Sequence, residues 1–111
     1  MSPRDWQDRI QDILVCANNI ALFTDNLSFS TFLADSKTIR AVAFELTTIG
    51  EAAKSIPLEI QEKYSEIPWT KIQGIRNVLV HEYFRIDEEI LWKTVKEDIP
   101  LLIRILEKLN S

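Results

Sequence analysis

Residues 74–83 bring together four side chains that could act on a phosphate ester, namely Arg76, Asn77, His81 and Tyr83. A histidine can take up or release a proton near neutral pH, because its unperturbed pKa is about 6.5. An arginine stays charged and offers a planar set of donors that matches phosphate oxygens. This short segment is therefore the first place in the chain to look for acid–base chemistry beside an anion.

If the segment is helical, the spacing of these four residues decides which of them lie on the same face of the helix. Asn77 and His81 are four residues apart and would share one face, and Arg76 and Tyr83, seven apart, would share another. Arg76 and His81 are separated by about 140° on an ideal helix. One helix would not aim both at a small target, but a second copy across a two-fold axis could supply the missing convergence.

Each of the four side chains also has a purely structural interpretation. His81 could be a helix-end histidine, stabilised as a cation by the helix dipole, and Arg76 could belong to a surface ion pair. Tyr83 could be an amphipathic bundle residue with its hydroxyl in water, and Asn77 could bond to a neighbouring helix. Residue type and spacing alone leave these alternatives open.

The elements that must position this segment are predicted from apolar spacing and from helix-start signals. A first helix should cover about residues 3–25, opened by Ser2 as its N-cap, and a short helical turn should surround Phe29 and Phe32. Asp35 or Ser36 could cap a second long helix. The remaining predicted helices run from Pro57 to Tyr64, from Trp69 to about His81, and from Asp87 to about Leu109, the last with a kink at Pro100.

Amphipathic helices joined by short connections predict an all-α fold, an antiparallel bundle of four to five helices. No internal repeat, linker or low-complexity tract divides the 111 residues, so we expect one domain over residues 1–111. Cys16 in an apolar helix is interpreted as a core residue, and Trp6, Trp69 and Trp92 as core or interface anchors.

Charge and composition restrict the classes of function. The net charge is −4 and the pI is about 5.0, which argues against diffuse binding of nucleic acid over the whole surface. Residues 71–85 nevertheless carry a local excess of positive charge. One cysteine and one histidine cannot build a structural zinc site in one chain, and no cofactor is expected. Without a membrane-spanning run or signal pattern, we expect a cytoplasmic protein.

The pattern arginine, four residues, histidine, one residue, tyrosine resembles the signature of the HepT-like toxins, a branch of the HEPN superfamily of helical ribonucleases. Arg76, His81 and Tyr83 fill it, and Asn77 follows the arginine as is usual in that superfamily. The resemblance extends over nearly the full length, and its other blocks are residues 49–54 (IGEAAK), 67–69 (IPW), 74–81 and 86–87.

The resemblance implies a homodimeric, HEPN-like bundle that acts as a metal-independent endoribonuclease in the cleft between its two copies. Arg76 and His81 would be the catalytic residues. His81 would take the proton from a ribose 2′-hydroxyl, and Arg76 would hold the phosphate and stabilise its developing charge. Asn77 would orient His81 or the substrate. The products would be a 2′,3′-cyclic phosphate and a 5′-hydroxyl.

The resemblance also implies a protein partner, a nucleotidyltransferase antitoxin of the MntA type that inactivates the toxin by transferring AMP to the motif tyrosine. Tyr83 holds that place in this chain. A negatively charged nucleotide two positions from His81 would block an RNA-binding cleft. Glu82 departs from the glycine common among relatives, and its carboxylate could raise the pKa of His81 or disfavour nearby RNA phosphates.

Two other functions compete with the ribonuclease. The first is a non-catalytic HEPN adaptor that binds nucleotide or a nucleotidyltransferase partner without cleaving RNA. The second is a helical interaction module in which the motif is coincidental. The presence of both Arg76 and His81 favours the enzyme, because an adaptor has no chemical need for that pair.

Overall fold

The computed structural model describes residues 6–75, 80–81 and 85–109, with residues 80, 81 and 85 described by their backbone alone. The elements in these ranges are α1 (Trp6–Thr24), α2 (Phe29–Leu33), α3 (Ser36–Lys54), α4 (Leu58–Lys63), α5 (Trp69–Gln73), β1 (Val80–His81), β2 (Arg85–Ile86), α6 (Glu88–Lys93), a π segment (Thr94–Asp98) and α7 (Ile99–Leu109). The all-α fold predicted from the sequence is confirmed. The Ser2 cap predicted for the first helix lies outside the described residues.

The core is built between the two longest helices, α1 and α3, with α7 packed against α1. Apolar residues at helical spacing line the facing sides of these helices, as the sequence predicts. The largest fully buried side chains are Phe32, Ile13, Ile20, Leu46, Ile49, Ile67, Leu91, Leu106 and Val42. Short connections between long helices make this arrangement an antiparallel bundle.

The helix starts follow from side-chain caps. Asp35 is the N-cap of α3, and its Oδ1 accepts the backbone N–H of Thr38 at 3.1 Å. Of the two predicted caps for this helix, Asp35 therefore has the role and Ser36 is the first helical residue. Ser28 and Thr31 form a reciprocal capping box at α2, so the short turn predicted around Phe29 is confirmed.

Aromatic side chains fasten the short elements onto the long helices. The ring of Trp92 lies 4.8 Å from that of Phe32 and 6.0 Å from that of Phe29, centroid to centroid. At the other end of the bundle, the ring of Trp6 lies 5.9 Å from that of Tyr64. These contacts agree with the interpretation of the tryptophans as packing residues.

The last helix is irregular just before Pro100. Residues Thr94–Asp98 form a π segment, in which the N–H of Ile99 bonds to the carbonyl of Thr94, five residues back. Proline has no N–H and crowds the carbonyl four residues before it, so a wider turn at this point relieves the conflict. The disturbance predicted at Pro100 thus takes the form of a π segment.

The predicted helix from Trp69 to His81 is wrong at its end. Helix α5 stops at Gln73, where Gly74 is the C-cap, and His81 lies in the two-residue strand β1. Strand β1 pairs antiparallel with β2, with Val80 opposite Ile86 and His81 opposite Arg85. Val80 and Ile86 are β-branched and favour extended backbone, which helical spacing alone did not reveal.

Candidate active site

Most of the predicted site residues lie outside the part of the chain that the structure describes. Arg76, Asn77 and Tyr83 are outside it, and of His81 only the backbone is described. The structure describes the elements on either side of residues 76–84, and these elements determine where the segment begins and ends.

The backbone of His81 corrects the geometry expected from a continuous helix. Because His81 is in a strand, it does not continue the predicted helix, so the helical face expected to hold Asn77 and His81 does not extend to His81. The face predicted for Arg76 and Tyr83 lies outside the described residues. The structural alternative of a helix-end histidine is also wrong. In the observed register His81 is directly opposite Arg85, so the backbones of these two residues are neighbours.

Sequence reasoning missed the position of Arg85, which entered it only as part of the basic segment. A signal for the pairing was present in the sequence. Val80 and Ile86 flank Tyr83 and Phe84 at a spacing typical of two short paired strands. The register places a second cationic residue beside the motif histidine, four positions along the chain.

Helix α5 anchors the chain just before Arg76. Two apolar residues of this helix, Trp69 and Ile72, are buried, and so is Ile75, two residues after the helix ends. The indole N–H of Trp69 donates to the carbonyl of Tyr64 at 3.1 Å. Arg76 therefore follows directly on a residue that is fixed in the core.

Gly50 explains why α5 can lie so close to α3. A Cβ atom added to Gly50 would lie 3.2 Å from the carbonyl oxygen of Ile72 and 3.5 Å from Cγ2 of Ile75. Only a residue without a side chain leaves this space free, which gives a packing reason for the glycine in the segment at residues 49–54. The contact holds the end of α5 against the middle of the bundle.

Two polar side chains of α5, Lys71 and Gln73, fix the helix against its neighbours. The Lys71 ammonium lies 2.9 Å from Oδ1 of Asp98 in the π segment. The Gln73 amide donates to the carbonyl of Ala53 at 3.3 Å and to Oε1 of Gln61 at 3.2 Å. Helices α3, α4 and α5 and the π segment are thus connected within one turn of the motif.

The other side of the motif is fixed by the start of α6. Oδ1 of Asp87 accepts the backbone N–H of Ile90 at 3.1 Å, which makes Asp87 the N-cap. Glu88 and Glu89 occupy the first turn, where negative charge is favourable. The predicted start of this helix is confirmed, and β2 runs directly into it.

Other candidate groups are less suited to chemistry. Burial, followed by a hydrogen bond to Glu45 and the charges of Glu45 and Asp12, raises the pKa of the Cys16 thiol to about 12. Cys16 is therefore an inert core residue, as predicted. Glu51 is exposed and lies 3.7 Å from Lys54, consistent with a solvated helix carboxylate.

The described ranges also limit what else the chain could hold. Among them, no group of three or more histidine, cysteine, aspartate or glutamate side chains is arranged to bind a metal ion. None of their helices has the length and apolar character that a bilayer crossing requires.

Comparison with known proteins finds similarity to HepT-like ribonucleases, both in a family model and in individual relatives. A family model described as "Ribonuclease HepT-like" matches residues 13–109. The chain is 44% identical over 108 residues to "Probable ribonuclease HepT" of Thermococcus cleftensis, covering 97% of this chain and 98% of the relative. It is 39% identical over 107 residues to a "Putative RNase" of Methanocaldococcus jannaschii, covering 96% and 98% respectively. No solved structure matches.

Proposed function

Since this chain belongs to the HepT-like ribonuclease family, we propose that it is an endoribonuclease that cleaves RNA in a groove between two copies of itself. The catalytic residues are Arg76 and His81. The observation that carries the proposal is the extent of the family match, residues 13–109, which includes the whole motif and every element that anchors it.

In the proposed reaction His81 is the general base. Its imidazole takes the proton from a ribose 2′-hydroxyl, and the oxygen attacks the adjacent phosphorus while the bond to the 5′-oxygen breaks. The leaving oxygen takes up a proton, which gives a 5′-hydroxyl and a 2′,3′-cyclic phosphate. DNA has no 2′-hydroxyl and is not a substrate of this reaction.

Arg76 is the electrostatic component. Its guanidinium binds the non-bridging oxygens and stabilises the charge that grows on them during attack. Because this charge stabilisation comes from a side chain, the reaction needs no metal ion. Asn77 is assigned to orientation of His81 or of the substrate.

The proposed biological setting is a toxin–antitoxin pair. The partner is a nucleotidyltransferase antitoxin of the MntA type, and Tyr83 is the residue that receives AMP. A bulky nucleotide with a negative phosphate at this position excludes RNA from the groove. Intact mass of the protein co-expressed with its genomic neighbour tests this part, because each transfer adds one AMP unit.

The test of the ribonuclease proposal is RNA cleavage by the purified protein in the presence of a chelator. We expect cleavage by the parent and a loss of at least about a hundredfold for His81→Ala and for Arg76→Ala, the size typical of removing a general base or a charge-stabilising donor. Arg104→Ala is the matched control, because Arg104 is an exposed arginine on α7 that is not part of the motif at residues 76–83. It should cleave like the parent.

Two results would count against the proposal. Equal cleavage by the parent, His81→Ala and Arg76→Ala would remove the assigned active site. No cleavage of several RNAs by an unmodified dimeric parent would favour the non-catalytic adaptor instead.

A further inference from the structure

Helix α3 carries the most exposed large apolar side chain of the described residues. Phe44, in the middle of this helix, is 71% exposed. Two more exposed apolar residues, Leu22 at 70% and Val15 at 49%, lie on the adjacent helix α1, and Val15 and Thr48 line the same groove. Phe44 and Val15 thus leave apolar surface exposed on two helices that pack against each other, and exposed apolar surface is a feature of interaction sites.

The polar groups next to Phe44 are already satisfied within the helix. The hydroxyl of Thr47 donates to the carbonyl of Ala43 at 2.9 Å, and that of Thr48 to the carbonyl of Phe44 at 3.1 Å. Burying these threonines would therefore leave no hydroxyl without a partner, which removes the usual cost of covering a polar surface.

The charges along the same side of α3 are arranged symmetrically about Phe44. Lys37 lies seven residues before it and Glu51 seven residues after it, so both are two turns away, about 10 Å along the helix axis. Arg40 adds a second positive charge at the Lys37 end, and all three charged residues are exposed.

This symmetrical arrangement of charge indicates that the partner of this helix face is a second copy of the chain. If two copies of α3 pack antiparallel with a two-fold axis at Phe44, Lys37 of each copy lies opposite Glu51 of the other. An isologous contact has to be self-complementary in this way. We propose that the α3 face, defined as Lys37, Arg40, Phe44, Thr47, Thr48 and Glu51, binds the same face of a second copy of this chain.

The present partner of Glu51 does not compete strongly with such a contact. The Glu51–Lys54 pair is 3.7 Å long, and its side chains are 58% and 54% exposed. Exposed pairs of this kind contribute little, so the Glu51 carboxylate remains available to a lysine from a second copy.

The inference rests on the proposed function for its consequence, because it specifies the two-fold contact that a groove between two copies needs. Gly50, on the same helix as Phe44, contacts Ile75, the residue before Arg76. The motif segments of both copies would then begin along the flank of one interface. The surface itself is inferred from exposure and charge, without reference to RNA.

Sedimentation equilibrium over a range of protein concentrations is the experiment. The parent should be a dimer, and Phe44→Asp should weaken dimerisation at least about a hundredfold, because each dimer loses two central apolar contacts. Leu58→Asp is the matched control: Leu58 is 69% exposed on α4, outside the α3 face, and its variant should stay dimeric. Circular dichroism checks that each variant remains helical.

A charge exchange tests the pairing independently of Phe44. Lys37→Glu and Glu51→Lys should each weaken the dimer about tenfold, and the double variant Lys37→Glu/Glu51→Lys should recover the affinity of the parent. A monomeric parent, a dimer unaffected by Phe44→Asp, or a double variant as weak as the single ones would overturn the proposal.

These results are separable from those of the ribonuclease test. RNA cleavage by a protein whose dimer ignores the α3 variants would retain the nuclease and remove this interface. A dimer that responds as expected but cleaves no RNA would retain the interface and remove the nuclease.

Discussion

Single residues determine how closely the elements around the motif approach one another. Gly50 allows the carbonyl of Ile72 to come within 3.2 Å of the position that a Cβ would occupy. Ile75, fixed by the same contact, is followed by Arg76, while His81 is held by pairing with Arg85 in a strand. Arg76 and His81, which are assigned to one reaction, are thus each next to or within a stretch of backbone that is anchored separately from the other.

At Gly50 we predict that a side chain fits only if the carbonyl of Ile72 moves away. Gly50→Val should lower the free energy of unfolding by about 2 kcal/mol, because the new methyl groups must displace the backbone of α5. Ala21→Val, at an exposed position of α1, is the control for inserting valine into a helix and should cost less than about 1 kcal/mol. Urea denaturation measures both. Equal losses in the two variants would show that α5 does not depend on Gly50.

At Cys16 we predict slow reaction with thiol reagents. With the pKa raised to about 12, roughly one thiol in 10,000 is ionised at pH 8, and only the thiolate is nucleophilic. Ellman's reagent should label the native protein far more slowly than the protein unfolded in urea. Comparable rates in the two states would contradict the buried position of this side chain.

At the scale of elements, most helix boundaries follow from apolar spacing and caps. Asp35, Pro57 and Asp87 mark the starts of α3, α4 and α6 in the sequence and in the structure alike. Residues 80 and 81 do not follow these rules, because the helix predicted from the spacing of Ile72, Ile75 and Leu79 overlaps Val80, which is β-branched and pairs with Ile86.

The geometry of the candidate site could be predicted from the sequence less well than the fold. Its residue types could be chosen from the motif, but the relation between them depended on a helix that ends at Gln73. The register of paired strands is set by contacts between the strands, and the helical spacing of apolar residues contains no information about those contacts. For the same reason the position of Arg85 opposite His81 was not foreseen.

The start of α6 anchors the chain on the C-terminal side of the motif. Asp87→Ala should lower the free energy of unfolding by about 1 kcal/mol, through loss of the N-cap, and should also reduce RNA cleavage, because β2 ends at this cap. Asp35→Ala removes the equivalent cap from α3, a helix that does not carry the motif. It should lose stability while retaining activity under folding conditions. If both variants cleave RNA like the parent, the Asp87 cap does not position the site.

For the molecule as a whole, the net negative charge limits how many RNA phosphates the proposed ribonuclease can bind. With a net charge of −4, the protein should contact few phosphates. If two or three phosphates are neutralised, a log–log plot of KM for RNA cleavage against salt concentration should have a slope of about 2. A slope steeper than about 5 would show that RNA binds over a broad basic surface instead.

In the proposed reaction His81 activates a ribose 2′-hydroxyl, and the ends of the RNA fragments record that step directly. Mass spectrometry of the fragments released in chelator should find 2′,3′-cyclic phosphate and 5′-hydroxyl ends, and their yield should fall at least about a hundredfold with His81→Ala. Fragments with 3′-hydroxyl and 5′-phosphate ends would contradict the mechanism, since water rather than the ribose would then have attacked the phosphorus.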